Sequence, residues 1–366
     1  MLMYSDYFVN IPCERTFFAG ANTPRGFVPA YDDMISEDIF ERIYIIKGGS
    51  GTGKSTIIRK CADAAREEGA RVTDILCSSD PDSLDGIIIE KDENLISVID
   101  GTAPHTMDAK YPGACGEIFD CGRFWSSTYL ENKKSDIARH TEEKKAAYQT
   151  AYRFLSAAGE AISLEQGLAL YCFDKKKARN AAEKLCSVFG KLAKEGKCHF
   201  RRTMAISMKG AFRLGTFDRA ERLFALEDHY FQAPRFFELI LEVMLSRGYD
   251  AFVSLSPLGG IGELYFPECR CAFVSKREGM EYERIINLRR FADKDKVAKT
   301  KQKRIFCSKC LSSMLEGAAD SLKLAGEHHF ALEGIYKEAM DFFALSCECD
   351  RLCDDIRKRL SREGIH

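Results

Sequence analysis

Proline is scarce in this chain, 9 among 366 residues, and no run of 18 consecutive apolar residues occurs. Few prolines leave long Ala, Glu and Lys-rich stretches unbroken, so helix content is expected to be high and strands are confined to short apolar runs. Without a long apolar run, no transmembrane helix is expected. Charge of one sign is also missing: 54 Lys plus Arg against 55 Asp plus Glu leave a formal net charge of -1. Nothing global therefore draws the chain to nucleic acid or an anionic membrane. The start, MLMYSDYFVNIPCER, lacks the basic and then apolar regions of a signal peptide, and a cytoplasmic location is expected. Cysteine is plentiful, with 15, but dispersed and without an export signal, so most thiols are expected to be reduced and buried as small hydrophobes. The 45% hydrophobic and 30% charged content is that of a globular chain, and its length accommodates two domains.

The run IYIIK at 43–47 reads as a strand, followed by glycines and then by a helix over 55–68 that Gly69 ends. VTDILC at 72–77 and LISVI at 95–99 read as further strands, and GIIIE at 86–90 as an extra strand of unread pairing direction. Residues 129–161 and 163–193 read as long helices, with Ser163 as a cap for the second and a boundary between 190 and 198.

The second half echoes the first in order. Arg15-Thr16 matches Arg202-Thr203, Tyr31-Asp32 matches Phe217-Asp218, and Glu41-Arg42-Ile43-Tyr44 matches Glu221-Arg222-Leu223-Phe224. Gly69 matches Gly248, VTDIL matches AFVSL at 251–255, IFDCGRF at 118–124 matches IINLRRF at 285–291, and YQTAYRFL at 148–155 matches YKEAMDFF at 336–343. The preserved order argues for duplication. The copies differ at one place: GGSGTGKST at 48–56 faces DHYFQAPRF at 228–236, with Pro234 opposite Lys54 and Arg235 opposite Ser55.

Gly48, Gly49, Ser50, Gly51, Thr52, Gly53, Lys54 and Ser55 form G-x-x-x-x-G-K-[ST] between a strand and a helix, as a phosphate-binding loop requires. Glycines let the backbone wrap phosphate, amides and the helix N-terminus donate, Lys54 balances charge, Ser55 ligates Mg2+, and Thr56 adds support. Asp100, at a strand end, is the expected second Mg2+ ligand. No carboxylate follows it to orient water, so Asp80, Asp82 and Asp85 are candidates for facing the phosphates or taking a proton. Against this stands the plainer reading of those aspartates as turn and capping residues. His105, Thr23, Arg25 and Arg123 are weaker candidates for the same pocket. Cys307-x-x-Cys310 with Cys347, Cys349 and Cys353 has the thiols for a zinc site, although reduced structural cysteines are the default. The basic run KDKVAKTKQKR at 294–304 reads as a solvated helix or connector.

Taken together, FFAGANTPRGF, IIKGGSGTGKST, CSSDPDSLDG, VIDGTAPH with YPGA, and AYRFLSAA resemble a bacterial family of duplicated P-loop ATP-binding proteins of Gram-positive anaerobes and spore formers. The resemblance spans most of the chain. It implies α/β architecture: tandem P-loop NTPase-like three-layer units with added helices, the second degenerate. The corresponding division is 1–165 for nucleotide binding, 166–199 as helical connector, and 200–366 as the degenerate unit with C-terminal helices. Many members of that family carry the loop in both repeats, and this chain departs from them in the second. The expected ligands are ATP and Mg2+, and the expected activity is a Mg-dependent NTPase or an ATP-regulated switch. A kinase acting on a small molecule or nucleotide, or a nucleotide sensor with a protein partner, are the alternatives. GTP is disfavoured only by the lack of an N-K-x-D sequence.

Overall fold

The computed structural model describes residues 9–11, 13, 15–104 and 106–361. The first half supplies β1 (Val9–Ile11), β2 (Thr16–Phe18), the hairpin β3 (Gly20–Thr23) and β4 (Gly26–Pro29), β5 (Arg42–Lys47) and α1 (Lys54–Glu67). There follow β6 (Arg71–Leu76), β7 (Leu84–Lys91), β8 (Asn94–Asp100), β9 (Gly116–Asp120), the short α2 (Ser127–Asn132), α3 (Lys134–Cys172) and α4 (Lys175–Cys186). The second half repeats the order with β10 (Cys198–Arg201), hairpin β11 (Met204–Ser207) and β12 (Gly210–Leu214), β13 (Arg222–Glu227) and α5 (Ala233–Ser246). It ends with β14 (Ala251–Leu255), β15 (Ile261–Phe266), β16 (Cys271–Ser275), β17 (Arg284–Asn287), α6 (Lys294–Ala339) and α7 (Phe342–Leu360).

The chain is α/β, with two six-stranded mixed sheets ordered β2-β6-β7-β8-β5-β9 and β10-β14-β15-β16-β13-β17. Neighbours run parallel, antiparallel, antiparallel, parallel and parallel in both. The extra strand expected at 86–90 is β7, antiparallel to both its neighbours. β5 lies between two parallel partners and is apolar on both faces. Tyr44 and Ile46 meet α1, whereas Ile43 and Ile45 point the other way. That second face shares one apolar cluster with Leu223, Ala272 and Val274 of the other sheet, together with Tyr31, Met34, Ile35 and Phe40. Each sheet thus has helices on one face and the other sheet as its further layer. Burying each such aliphatic side chain contributes roughly 1.5–3 kcal/mol.

The terminal helices are exchanged between the units. Ala178, Ala182 and Leu185 of α4 pack with Phe236, Phe237 and Ile240 of α5, on the second sheet. Leu345, Cys349, Leu352 and Ile356 of α7 pack with Ile57, Ile58 and Cys61 of α1, on the first. Helices α3 and α6, about 60 and 70 Å long at 1.5 Å per residue, run antiparallel and carry the chain across and back. The exchange is symmetric at both ends: Trp125 bridges Met340 and Phe173 bridges Ala292, and Asp341 and Asp174 donate backbone hydrogen bonds to Phe124 and Phe291. A C-terminal helix expected with residues 200–366 therefore completes the first core, and one expected as connector completes the second.

Three details of the repeat shift. Thr16 pairs with Asp74 where Phe200 pairs with Val253, so Arg15-Thr16 does not correspond to Arg202-Thr203. Helices α1 and α5, 14 residues each, place Lys54 opposite Ala233 and Ser55 opposite Pro234, because the second loop is one residue shorter. The paired bridges put Tyr148 opposite Leu315, so its resemblance to the stretch from Tyr336 does not follow the fold. Nor does Ser163 cap a helix, since α3 continues through it and through Gly159. At Gly159 a Cβ would lie 2.7 Å from Pro24 Cβ at the first hairpin tip, and at the matching Gly326 2.8 Å from Met208 Sδ at the second. At Gly159, against a rigid proline ring, only glycine admits this approach of hairpin to helix.

No described helix is long and apolar enough to cross a membrane.

Candidate functional site

The glycine-rich segment leaves the end of β5 at Lys47 and turns into α1 at Lys54. Gly51 and Gly53 have φ of +74° and +86°, a left-handed backbone that glycine adopts without strain. Thr52 is fully buried and its hydroxyl donates to the Gly49 carbonyl at 2.9 Å, bracing the turn. Lys54 starts the helix and bends back: its ammonium donates to the carbonyls of Gly49 (2.8 Å) and Gly48 (3.2 Å) and lies 3.6 Å from Asp100. Asp100 ends β8 and accepts from the Thr102 amide (2.9 Å) and hydroxyl (2.5 Å). Ser55 accepts from the Leu84 amide at 3.0 Å, which fixes the start of β7 and hence Asp85 beside the same helix end. Burial first, then the negative Asp100, pushes the Asp85 carboxyl up to about 8.

Lys54, Ser55, Asp85 and Asp100 therefore come together, delivered by three different elements. Asp80 and Asp82 each pair at 2.6 Å with Lys209, at the tip of the second unit's hairpin, and the charge of Asp80 adds to the upward push on Asp85. Thr23 and Arg25 form the first hairpin tip, where the Thr23 hydroxyl donates to the Gly26 carbonyl at 2.7 Å and accepts from the Arg25 amide. Arg123 is exposed and lies against Phe124, and Thr56 is on the exposed face of α1. His105 lies outside the described residues. The five thiols expected as a zinc site are divided: Cys307 and Cys310 are in α6, with Cys307 near Arg304 and Glu165, whereas Cys347 is exposed on α7 and Cys349 and Cys353 are in the first core beside Cys61. The basic run 294–304 begins α6, and its last residue, Arg304, is buried with Glu165 at 3.2 Å.

Residues from the long helices also reach the loop, and no local sequence pattern marks them. Lys144 of α3 is half-buried near Lys54, and burial, then that neighbouring charge, lowers its pKa. On α6, His329 Nδ1 is 3.4 Å from the Ser50 hydroxyl, and a Cβ on Gly49 would lie 3.1 Å from the Tyr336 ring. A Cβ on Gly51 would meet the Glu333 carbonyl at 2.5 Å. Glu333 is itself held down to about 2 by its hydrogen bond to His329, with Lys337 adding to the effect.

The second loop shows what the first lacks. Asp228 accepts from the amides of Tyr230 and Gln232 at 3.0 Å and of Ala233 at 2.8 Å. Amides at a helix N-terminus attract an anion, and here the chain's own carboxylate satisfies them. Gly48, in the corresponding place, carries no such group, and a Cβ there would lie 2.6 Å from the Thr52 hydroxyl. No family model, curated protein or solved structure matches this chain.

Proposed function

We propose that residues 48–55 bind the phosphates of ATP together with Mg2+, and that the protein is a Mg-dependent NTPase whose phosphate occupancy is relayed to its second unit. The observation that carries this reading is a glycine-rich helix N-terminus at which Lys54 and Ser55 meet Asp85 and Asp100, with Lys144 of α3 near enough to act on Lys54 through its charge. Two neighbouring cations repel each other, and an anion between them relieves that repulsion. The donor set suits a hard cation: the Ser55 hydroxyl and the Asp100 carboxylate would hold Mg2+, with Asp85 alongside. When bound, Mg2+ neutralises phosphate charge as it develops. Loop amides orient the phosphates, Lys54 and Lys144 balance their charge, and Asp85, whose carboxyl burial pushes up to about 8, is the residue we assign to taking or returning a proton.

The contacts of His329, Tyr336 and Glu333 with Ser50, Gly49 and Gly51 favour the switch component. These residues belong to α6, which begins on the second unit, so a shift of the loop would move an element rooted there.

The test is calorimetric titration of the intact protein with ATP and with GTP, each with Mg2+, followed by assays of phosphate release and of transfer to added metabolites. Lys54→Ala is expected to weaken ATP binding by at least roughly tenfold, and Lys144→Ala by a smaller factor, each ten-fold step being about 1.4 kcal/mol. Undiminished binding by the Lys54 variant removes this site. Release without transfer supports hydrolysis, acceptor-dependent product supports a kinase, and binding without turnover supports a sensor.

A further inference from the structure

Near the first unit's end of the α3–α6 pair, two histidines and a glutamate meet. His140 and Glu143 are one helical turn apart on α3, which puts them on one face, and His328 reaches them from α6. Three atoms define the cluster. His140 Nδ1 is 3.1 Å from His328 Nδ1, His328 Nδ1 is 3.2 Å from Glu143 Oε2, and His140 Nδ1 is 3.9 Å from that same oxygen. A triangle with these edges has a centre about 2 Å from each corner, which is the bond length of zinc to imidazole nitrogen and carboxylate oxygen. The two imidazole side chains are 17% and 19% exposed and the glutamate 43%, so the cluster is accessible yet held by two packed helices.

We propose that His140, Glu143 and His328 form a binding site for a zinc-class divalent transition metal, with the fourth position left to water. Two nitrogens and one carboxylate oxygen select borderline metals such as Zn2+ and Co2+ over the hard Mg2+ of the nucleotide reading. The ion would pin α3 to α6 one turn from Lys144 and next to His329, without sharing any residue with the loop.

The remaining polar contacts set a condition. Arg139 donates to His140 Nε2 at 3.0 Å and lies 3.4 Å from Glu143 Oε2 and 3.6 Å from Asp136. A metal on Nδ1 leaves the proton on Nε2, where an arginine, a donor only, has no acceptor. Arg139 must then turn away toward Asp136, 3.6 Å from it, and its side chain is half-exposed. The duplicated position supplies a natural contrast: Cys307 and Cys310 stand where His140 and Glu143 stand, but Ala161 takes the place of His328, so no ligand stands at that position.

The experiment titrates reduced, metal-free, full-length protein with Zn2+ and with Co2+. One equivalent is expected to bind, with Co2+ giving the visible bands of a nitrogen and oxygen site and no sulfur charge-transfer band, and Zn2+ raising Tm. His140→Ala, His328→Ala and the near-isosteric Glu143→Gln should each weaken binding roughly tenfold or more, whereas Lys54→Ala should leave it intact and Arg139→Ala should not weaken it. Circular dichroism before metal addition checks that each variant is folded. The proposal is overturned by wild-type protein that binds neither ion, by folded variants with wild-type affinity, or by a sulfur charge-transfer band that persists in His140→Ala. Its failure leaves the nucleotide site untouched, since that site is read out through Lys54.

Discussion

Asp85 is a residue whose environment changes its chemistry. Burial, then the neighbouring Asp100, pushes its carboxyl up to about 8 in the folded chain, against about 4 when unfolded. Between those values the folded state holds a proton that the unfolded state has lost, so stability is fully present below about pH 4 and declines as pH rises toward 8. The slope is at most about 1.4 kcal/mol per pH unit. Asp85→Asn, which mimics the protonated acid, should flatten this decline and be more stable than wild type at pH 8, as denaturant melts across the window would measure. An equal slope in both proteins would mean that Asp85 does not hold that proton. Asp80 and Asp82, from the same stretch of sequence, have Lys209 instead and are expected to contribute little to catalysis.

Among the elements, α3 sets two glycines against each other. Replacing glycine by alanine inside a helix ordinarily gains about 1 kcal/mol. Gly167 has nothing within 4 Å of the added Cβ, so Gly167→Ala should follow that rule. Gly159 faces Pro24 at 2.7 Å, and the rigid ring cannot yield cheaply. Overpacking of about 1–3 kcal/mol then exceeds the propensity gain, and Gly159→Ala should lower Tm where Gly167→Ala raises it. Thermal melts of both variants decide whether the hairpin tip really bears on the helix.

At the scale of the whole molecule, the exchanged helices couple units that lie far apart in sequence. Removing α7 strips Leu345, Leu352, Ile356 and Leu360 from the first core and leaves the apolar face of α1 uncovered. A chain ending at residue 341 is expected to lose stability in its first unit, seen as faster hydrogen exchange in α1, although more than 270 residues separate α1 from α7. If α1 remained as protected as in the full chain, the exchange would have no energetic weight.

Short-range patterns were legible without the fold: IYIIK as a strand, Gly51, Gly53 and Lys54 as a turn into a helix, and an ordered repeat that proved to be two sheets of one topology. Each rests on neighbouring residues, and the backbone and side-chain period act within a few positions of the chain. Ser163 looked like helix punctuation because nothing local tells that α3 is held by a partner helix and a hairpin. The same limit hid Lys144, His329 and the cluster of His140, Glu143 and His328, since single polar residues on a helical face read alike until another helix lies against them. Local chemistry thus determined which segments became strands, helices and a glycine-rich turn. Only tertiary packing decided which sheet each terminal helix covers, which aspartates meet Lys54, and that Asp228 rather than an external anion satisfies the second loop, because those pairings join residues with no local signature in common.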